Sequence, residues 1–593
     1  MKKLIEDNKS SSAFLLLWKH ISKRRRKQFL LLLTLMFVSS LFEVISLGAV
    51  LPFLAALVAP EQVFKYPLIQ PLINFFELTH PNQIILPLTL VFVAAAFAAG
   101  FIRLTLLYVM TRLTYATGAD LNFNIYQRTL YQDYAIHVSR NSSEVINGIT
   151  SKTNTVTAGV ISPIIGLISS SILLVAVMSV LLAINAVVAI SAFIGFGLVY
   201  LVLIQFTRRY LKFNSKLIAD QSTKVVKSLQ EGLGGIRDVL IDGSQQFYIK
   251  LFRSADLPIR RASGNNSFIS SGPRFVIEAV GIMLIAILAY LMFQKSKNPA
   301  DVIPVLGALA IGAQRLLPAI QNIYGSFTTI KGSKASLDDV IKLLEQPLPE
   351  FINKKSNPIP FINEIVLRNI SFRYMPDAPF VLKGVNLNIK KGDHIGFIGT
   401  TGSGKSTLLD LIMGLLVQTS GEILIDGKVI DDHNRRGWQA NIAHVPQNIF
   451  LSDSTIEENI AFGISKDKID SSLVKKAAKK AQITELIESW EQGYQTIVGE
   501  RGVRLSGGQR QRIGIARALY KQANVLIFDE ATSALDNQTE KKIINTINHL
   551  DKDLTILIIA HRITTLKQCN QIIEVSESGG LSLKQYDEII RSN

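Results

Sequence analysis

The sequence predicts two fold classes joined in one chain: an all-α membrane domain of six spanning helices within residues 28–330, and an α/β P-loop nucleotide-binding domain within residues 363–593. Two observations carry this prediction. Apolar residues crowd into the first 330 positions, where six stretches approach the roughly 20 residues that a helix needs to cross hydrocarbon. Beyond residue 363, short β-rich runs alternate with helical ones, and one strand-to-helix junction reads G-x-x-x-x-G-K-S.

The chain has 593 residues and opens with a basic segment, 1–27, whose densest run is Lys23-Arg24-Arg25-Arg26-Lys27. A net charge of +17 could signal nucleic acid, but charge set directly before an apolar stretch is a topology signal, and no nucleic-acid partner is expected. The apolar run from Phe29 continues past Leu54 with no convincing small-residue cleavage site, so it reads as a retained anchor. The single cysteine, Cys569, excludes an internal disulfide framework, and no Cys/His cluster has zinc spacing.

The predicted spans are 28–58, 84–111, 157–184, 186–206, 274–294 and 301–325. Buried helices of a large soluble protein are the alternative, but a run such as Val91-Phe92-Val93-Ala94-Ala95-Ala96-Phe97-Ala98-Ala99 lacks the polar face such helices keep. The connection 59–83 holds Lys65 as its only basic residue besides His80, whereas 207–273 is rich in Lys and Arg from Arg208 to Arg261. That asymmetry puts 207–273 and both termini on the cytoplasmic side. The connections 112–156 and 207–273 are too long for turns and carry helix-compatible polar patterns, so the spans are expected to extend into the cytosol. On the outer side, Pro71-Leu72-Ile73-Asn74-Phe75-Phe76-Glu77-Leu78 reads either as a short interfacial helix or as an ordinary packed loop. Residues 331–362 read as a linker, a charged helical stretch running into Pro347, Pro349, Pro358 and Pro360.

Chemistry concentrates after the linker. Gly399-Thr400-Thr401-Gly402-Ser403-Gly404-Lys405-Ser406-Thr407 follows an apolar strand and precedes a helical run, the context a phosphate-binding loop requires. Its glycines let backbone N–H groups cradle phosphates, Lys405 neutralises their charge, and the Ser406 hydroxyl can ligate magnesium. The strand Val525-Leu526-Ile527-Phe528 ends in two acids, which puts Asp529 where it can hold magnesium and Glu530 where it can polarise water. ATP and Mg2+ are the cofactors this pair of motifs implies.

Between these motifs lies Leu505-Ser506-Gly507-Gly508-Gln509, and with it the chain resembles the exporters of the ATP-binding cassette (ABC) family, whose signature is Leu-Ser-Gly-Gly-Gln and whose motif order is the one found here. The resemblance implies the type I/type IV exporter fold, working as a homodimer in which the signature of one subunit closes on nucleotide held by the other. It further implies an adenine-stacking role for Tyr374, which as a strand residue could equally face the core. Gln447 resembles the glutamine that senses magnesium, His561 the switch histidine at the terminal phosphate, and Ser533-Ala534-Leu535-Asp536, with Asp536, the loop joining the two sites across the dimer. Val498-Gly499-Glu500-Arg501-Gly502 and Glu458-Asn459-Ile460 resemble exporter-specific segments and disfavour an importer.

Passenger choice resides in the spans. Arg103, Arg274 and Arg315 fall within or at the start of predicted spans, where a charge either faces a cavity and carries function or sits in a structural ion pair. The first reading suggests an anionic passenger, since guanidinium pairs with phosphate through two parallel hydrogen bonds. The second offers Glu43 and Glu278 as partners for Arg103 and Arg315. Glu43-Val44-Ile45-Ser46-Leu47-Gly48-Ala49-Val50-Leu51-Pro52-Phe53 and the outer helix resemble PglK-type lipid-linked oligosaccharide flippases, which implies a polyprenyl-pyrophosphate glycan as passenger and a bacterial inner membrane as location. Other amphiphiles such as a lipopolysaccharide precursor, a phospholipid or a drug, a peptide, and an ATP-switched channel remain as alternatives.

Overall fold

The structure is a computed structural model that describes residues 13–592 except 68, 296–298, 350–351, 353–356, 531–537, 543–552, 561–565 and 568. It divides into two compact units: Met1–Gln132 with Arg140–Leu348, and Asp133–Ser139 with Pro349–Asn593.

The first unit is helical. Its long helices are α1 (Lys23–Val58), α2 (Ile85–Leu130), α3 (Ser162–Gly234), α4 (Gln245–Ser271), α5 (Pro273–Lys295) and α6 (Pro299–Gly332), followed by the short α7 (Lys334–Leu344). Ser22 caps α1 by accepting the Arg25 N–H, so the basic run begins the helix that then enters the membrane. Helices α1 and α2 run antiparallel, as three contacts require: Arg25 with Asp120, Glu43 with Arg103, and Phe53 stacked on Phe92 with ring centres 5.1 Å apart. Among the described residues, three helical stretches are long and apolar enough to cross a membrane, Lys23–Val58, Pro81–Leu130 and Ser142–Ala183, with mean hydropathies of 2.3, 2.4 and 2.5.

The helical segment α3 covers 73 residues, and its contacts divide it into two arms. A Cβ on Gly159 would lie 2.2 Å from the Ser333 hydroxyl, and one on Gly166 would lie 3.6 Å from that of Ser326. Farther on, Val177 and Leu181 pack with Leu316, so this arm runs antiparallel to α6. Tyr200 then packs on Tyr324, and the Ser215 hydroxyl accepts the Ala335 N–H, a parallel course. A straight helix would hold Gly159 and Ser215 about 84 Å apart at 1.5 Å per residue, but they meet Ser333 and Ala335. The chain therefore reverses between Leu181 and Val199, and the predicted spans 157–184 and 186–206 fall on the two arms. The spans 274–294 and 301–325 fall on α5 and α6.

Helix α7 occupies the first part of the expected linker and packs on the helical unit. Leu337, Val340, Ile341 and Leu344 form its buried stripe, and Asp339 pairs with Lys152 at 2.6 Å. In the connection between α1 and α2, Gln70–Phe75 is helical, with Ile73 buried beside Ala56 and Ile84 and Phe75 exposed.

The second unit is α/β. Strands β1 (Glu364–Phe372), β2 (Leu382–Lys390), β4 (Ser420–Ile425) and β5 (Lys428–Val429) make an antiparallel sheet ordered β2-β1-β4-β5. Strands β3 (His394–Ile398), β6 (Ile442–Val445), β7 (Val525–Asp529), β8 (Thr555–Ile559), β9 (Gln571–Val575) and β10 (Leu581–Lys584) make the second, ordered β10-β9-β3-β8-β7-β6 and parallel except at β10. The parallel strands are near-continuous Ile, Leu, Val and Phe because both faces are covered. Between the sheets, Phe397, Leu408, Ile412, Trp438, Ile527 and Leu557 form the main core, and the Trp438 indole donates to Ile412 O at 2.7 Å. At its entrance the Asp426 carboxylate accepts the N–H groups of Ile362, Asn363 and Glu364 at 2.6, 2.7 and 2.8 Å, fixing the start of β1. The short helix Tyr134–Ser139 belongs to this unit, where Asp133 pairs with Arg435 at 3.5 Å.

Candidate functional site

The parallel strands β3, β8 and β7 lie side by side, so their C-terminal ends share one edge, with β8 between the other two. At neighbour spacings of about 4.8 Å, the residues following β3 and β7 face each other across roughly one nucleotide phosphate.

After β3 the chain turns through Gly399, with φ 141°, where a Cβ would lie 2.4 Å from Val575 O. It closes through Gly404, with φ 100°, which begins helix α8 (Lys405–Ile412). Only glycine takes both positions, and the helix N-terminus they create favours anions. Thr400, Thr401, Gly402 and Ser403 form the turn between them, and Ser403 is buried with its hydroxyl unpartnered. Lys405 is also buried, and its ammonium folds back to donate to Gly399 O at 2.9 Å and Thr400 O at 2.8 Å. A buried cation held by two loop carbonyls, beside a hydroxyl with no partner among the described residues, fits a ligand carrying phosphate. Thr407 is buried and its hydroxyl meets the Tyr374 hydroxyl at 3.0 Å. That bond leaves the Tyr374 ring half exposed at the loop's side, edge-on to Phe372 at 5.0 Å.

The acidic edge is crowded. Asp529 ends β7 and accepts a hydrogen bond from Ser406; burial pushes its carboxyl up and neighbouring Glu530 adds to this, while Ser406 and Lys405 oppose it. Glu530 has left-handed backbone, φ 51°, and its N–H donates to Ile559 O. This turn carries its carboxylate to the Gln447 amide, which donates at 2.6 Å. Asp410, one turn after Ser406 on α8, is pushed up to about 6 by burial and then by Asp529. Glu530 raises Asp529 and Asp529 raises Asp410, a crowding of like charge that suits a cation beside Asp529. Among the described residues no group of three or more His, Cys, Asp or Glu is arranged as a metal cage. Magnesium does not need one, since a hydroxyl, one or two carboxylates and substrate phosphates suffice, and Ser406, Asp529 and Gln447 supply such a set.

Ser506 caps helix α9 (Gly507–Tyr520), accepting the Gln509 N–H at 3.3 Å while its own N–H donates to the Gln509 side chain at 2.8 Å. The cap fixes Gly507 and Gly508 as a helix N-terminus with free N–H groups. Leu505 and α9 pack in a second core with Val445, Leu451 and Ile460, apart from the core that holds α8. Sequence reasoning missed Asp410 and Glu577, which accepts from Thr400 at 3.2 Å; an acid inside Leu408-Leu409-Asp410-Leu411-Ile412 was the available signal. His561 and the loop 533–536 with Asp536 lie outside the described residues, and before His561 the Ala560 N–H reaches Phe397 O at 3.4 Å.

In the helical unit Arg103 pairs with Glu43 at 3.4 Å, and Glu43 is 4% exposed. Glu278 pairs with Arg274 one helical turn away at 2.6 Å, the spacing that puts two side chains on one helix face, and the expected pairing of Glu278 with Arg315 lies outside the described residues. Arg315 is on α6, with its side chain outside the described residues.

Comparison with known proteins agrees with this geometry. The ABC transporter family matches residues 382–533, and the ABC transporter transmembrane region matches residues 26–306. An ATP-dependent lipid A-core flippase of Saccharophagus degradans is 30% identical over 463 residues, 77% of this chain and 76% of that protein. One from Cupriavidus metallidurans is 26% identical over 523 residues, 87% of this chain and 86% of that protein. The fold is that of a bacterial Atm1-family ABC exporter solved with ATP bound, with a TM-score of 0.77 over 96% of each chain at 22% identity. The chain belongs to the ATP-binding cassette transporter family, as an exporter that joins its membrane helices to its own ATPase domain.

Proposed function

We propose that the chain acts as a homodimer in the bacterial inner membrane, with both termini cytoplasmic, and uses ATP hydrolysis to flip an anionic lipid-linked glycan. The observation that carries this reading is similarity to lipid A-core flippases across the membrane half as well as the ATPase half. The first-span resemblance favours a polyprenyl-pyrophosphate oligosaccharide as the passenger. The names of the relatives favour a second reading, a lipid A-core type of glycolipid.

In the cycle, the N–H groups at the start of α8 receive the phosphates, and the Lys405 ammonium leaves the carbonyls of Gly399 and Thr400 to neutralise them. Magnesium, when bound, supplies charge neutralisation across the phosphates, and Ser406, Asp529 and the amide oxygen of Gln447 would hold it. Glu530 orients the attacking water, and Gln447, bonded to Glu530, links that carboxylate to the metal position. Tyr374 stacks on adenine, and His561 contacts the terminal phosphate. Ser506, Gly507, Gly508 and Gln509 close on the partner's nucleotide, with Asp536 joining the two sites. Nucleotide held by both subunits favours the closed ATPase pair and hydrolysis releases it. In the membrane, Arg103 and Arg274 exchange Glu43 and Glu278 for the passenger's phosphates, and Arg315 is the third candidate contact.

The test is flipping in proteoliposomes with either glycolipid supplied, for the wild type and Glu530→Gln. ATP-dependent movement of the polyprenyl-linked glycan alone, lost in the variant, supports the first reading. Movement of the lipid A-core glycolipid alone selects the second. Hydrolysis with neither moving overturns the passenger class.

A further inference from the structure

We infer that a groove between α1 and α2 binds an anionic glycerophospholipid of the leaflet on the ATPase-bearing side, at a site separate from the passenger's path. The groove has a volume of about 500 Å³ and is lined by Arg25, Gln28, Leu31, Leu35, Tyr108 and Arg112, among others.

Its position follows from the two helices. On α1 the basic run ends at Lys27 and the apolar run begins at Phe29, and on α2 the apolar run ends near Met110, directly before Arg112. Because the helices are antiparallel, these two polar-to-apolar borders fall about five residues apart along the axis, within one level about 8 Å deep at 1.5 Å per residue. That level is on the side from which the chain leaves the helical unit, since Arg128 and Gln132, farther along α2, donate to Gln346 O and Pro347 O. The border is where headgroups meet acyl chains, and Tyr108 there is an amphipathic aromatic suited to that depth.

The groove's lining divides as a lipid does. Leu31 and Leu35 make an apolar wall below the border, with Leu31 68% exposed, ready for an acyl chain. Polar groups gather at the other end. Arg25 is paired with Asp120 at 2.8 Å and with Gln28 at 3.0 Å, so its charge is compensated. Arg112 is exposed, makes a 3.4 Å contact with the Tyr108 hydroxyl and lies 5.7 Å over its ring, and pairs with no carboxylate among the described residues. One uncompensated guanidinium at the mouth of an apolar groove is complementary to a phosphodiester bearing one negative charge, and a basic pocket between helices at the cytoplasmic border is a known way to hold such a lipid. A zwitterionic lipid would set its own cation against Arg112.

Native mass spectrometry of the full chain from nanodiscs of equal phosphatidylglycerol and phosphatidylcholine tests this. The wild type is expected to retain phosphatidylglycerol about fivefold over phosphatidylcholine, the scale of one basic side chain at an anionic surface. Arg112→Gln removes the preference with an unchanged melting temperature, Arg112→Lys keeps part of it, and Lys27→Gln, an exposed charge outside the lining, leaves it intact. Equal retention of the two lipids by wild type overturns the inference, as does an equal loss in Lys27→Gln, which would mean general attraction to the surface. In a further arm, displacement of phosphatidylglycerol by either glycolipid would assign the groove to the passenger and overturn a separate site. Failure of both glycolipids to flip would leave the phosphatidylglycerol result standing.

Discussion

The two halves of this chain bury different things because they fold in different solvents. In the ATPase half the large side chains of Trp438 and Phe397 are fully buried. In the membrane half Phe97, Phe206 and Phe275 face outward, 78, 78 and 71% exposed. Hydrocarbon does not penalise an outward phenylalanine, so helices there gain little from burying apolar surface and associate through close backbone approach and polar pairs. Gly159 against Ser333, Asn214 against Asn266 and Glu43 against Arg103 are such contacts. The ATPase half gains its stability from area, and the membrane half from a few specific pairs.

If that contrast is right, single polar substitutions should act on chemistry in one half and on assembly in the other. The largest effect is expected from Glu530→Gln, which should lower ATP hydrolysis at least about 100-fold with nucleotide affinity retained, read by phosphate release and by nucleotide titration. Next, Arg103→Ala leaves the buried Glu43 without this cation and should cost about 3 kcal/mol in thermal unfolding of the lipid-embedded protein. Adding Glu43→Gln should restore most of that loss, and recovery of nothing would show that the pair is not what holds α1 to α2.

Asp426→Ala should destabilise the ATPase half by about 2 kcal/mol at pH 7, since three backbone donors lose one charged acceptor. Burial pushes the Asp426 carboxyl up, but the N–H groups of Ile362, Glu364 and Asn363 outweigh it and hold the group below its ordinary value. A lowered acid contributes fully above its unfolded value of about 4 and loses that contribution as pH falls through the folded one. The difference between wild type and variant in unfolding midpoint should therefore shrink below about pH 4. The smallest effect is expected at Tyr374: the alanine variant should weaken ATP binding about tenfold, the scale of base stacking, while phenylalanine should keep it despite losing the bond to Thr407. A loss of equal size in both variants would mean that the hydroxyl matters more than the ring.

Legibility in the sequence followed the range of the determining interactions. The phosphate loop could be read because Gly399, Gly404 and Lys405 work through backbone geometry set within ten residues. The cap made by Ser506 and Gln509 spans three residues and is equally local. Asp410 escaped notice because its significance depends on Asp529, brought near by a parallel sheet more than a hundred residues later. The ion pairs of the spans were half legible: Glu43 with Arg103 was among the alternatives, whereas the pair of Glu278 with Arg274, one helical turn away, was not read.

By itself the sequence determined that apolar segments must be helical in a membrane, since each backbone polar group needs an internal partner there, and that a glycine-rich turn before Lys405 must cradle phosphate. Tertiary structure alone decided that both arms of α3 pack on α6, that α7 lies on the helical unit through Lys152 and Asp339, and that Arg25 and Arg112 flank one groove. Hydrophobicity specifies that a helix is buried or lipid-facing but not which helix it meets; that choice rests on side chains far apart in sequence, whose contacts exist only once the chain has folded.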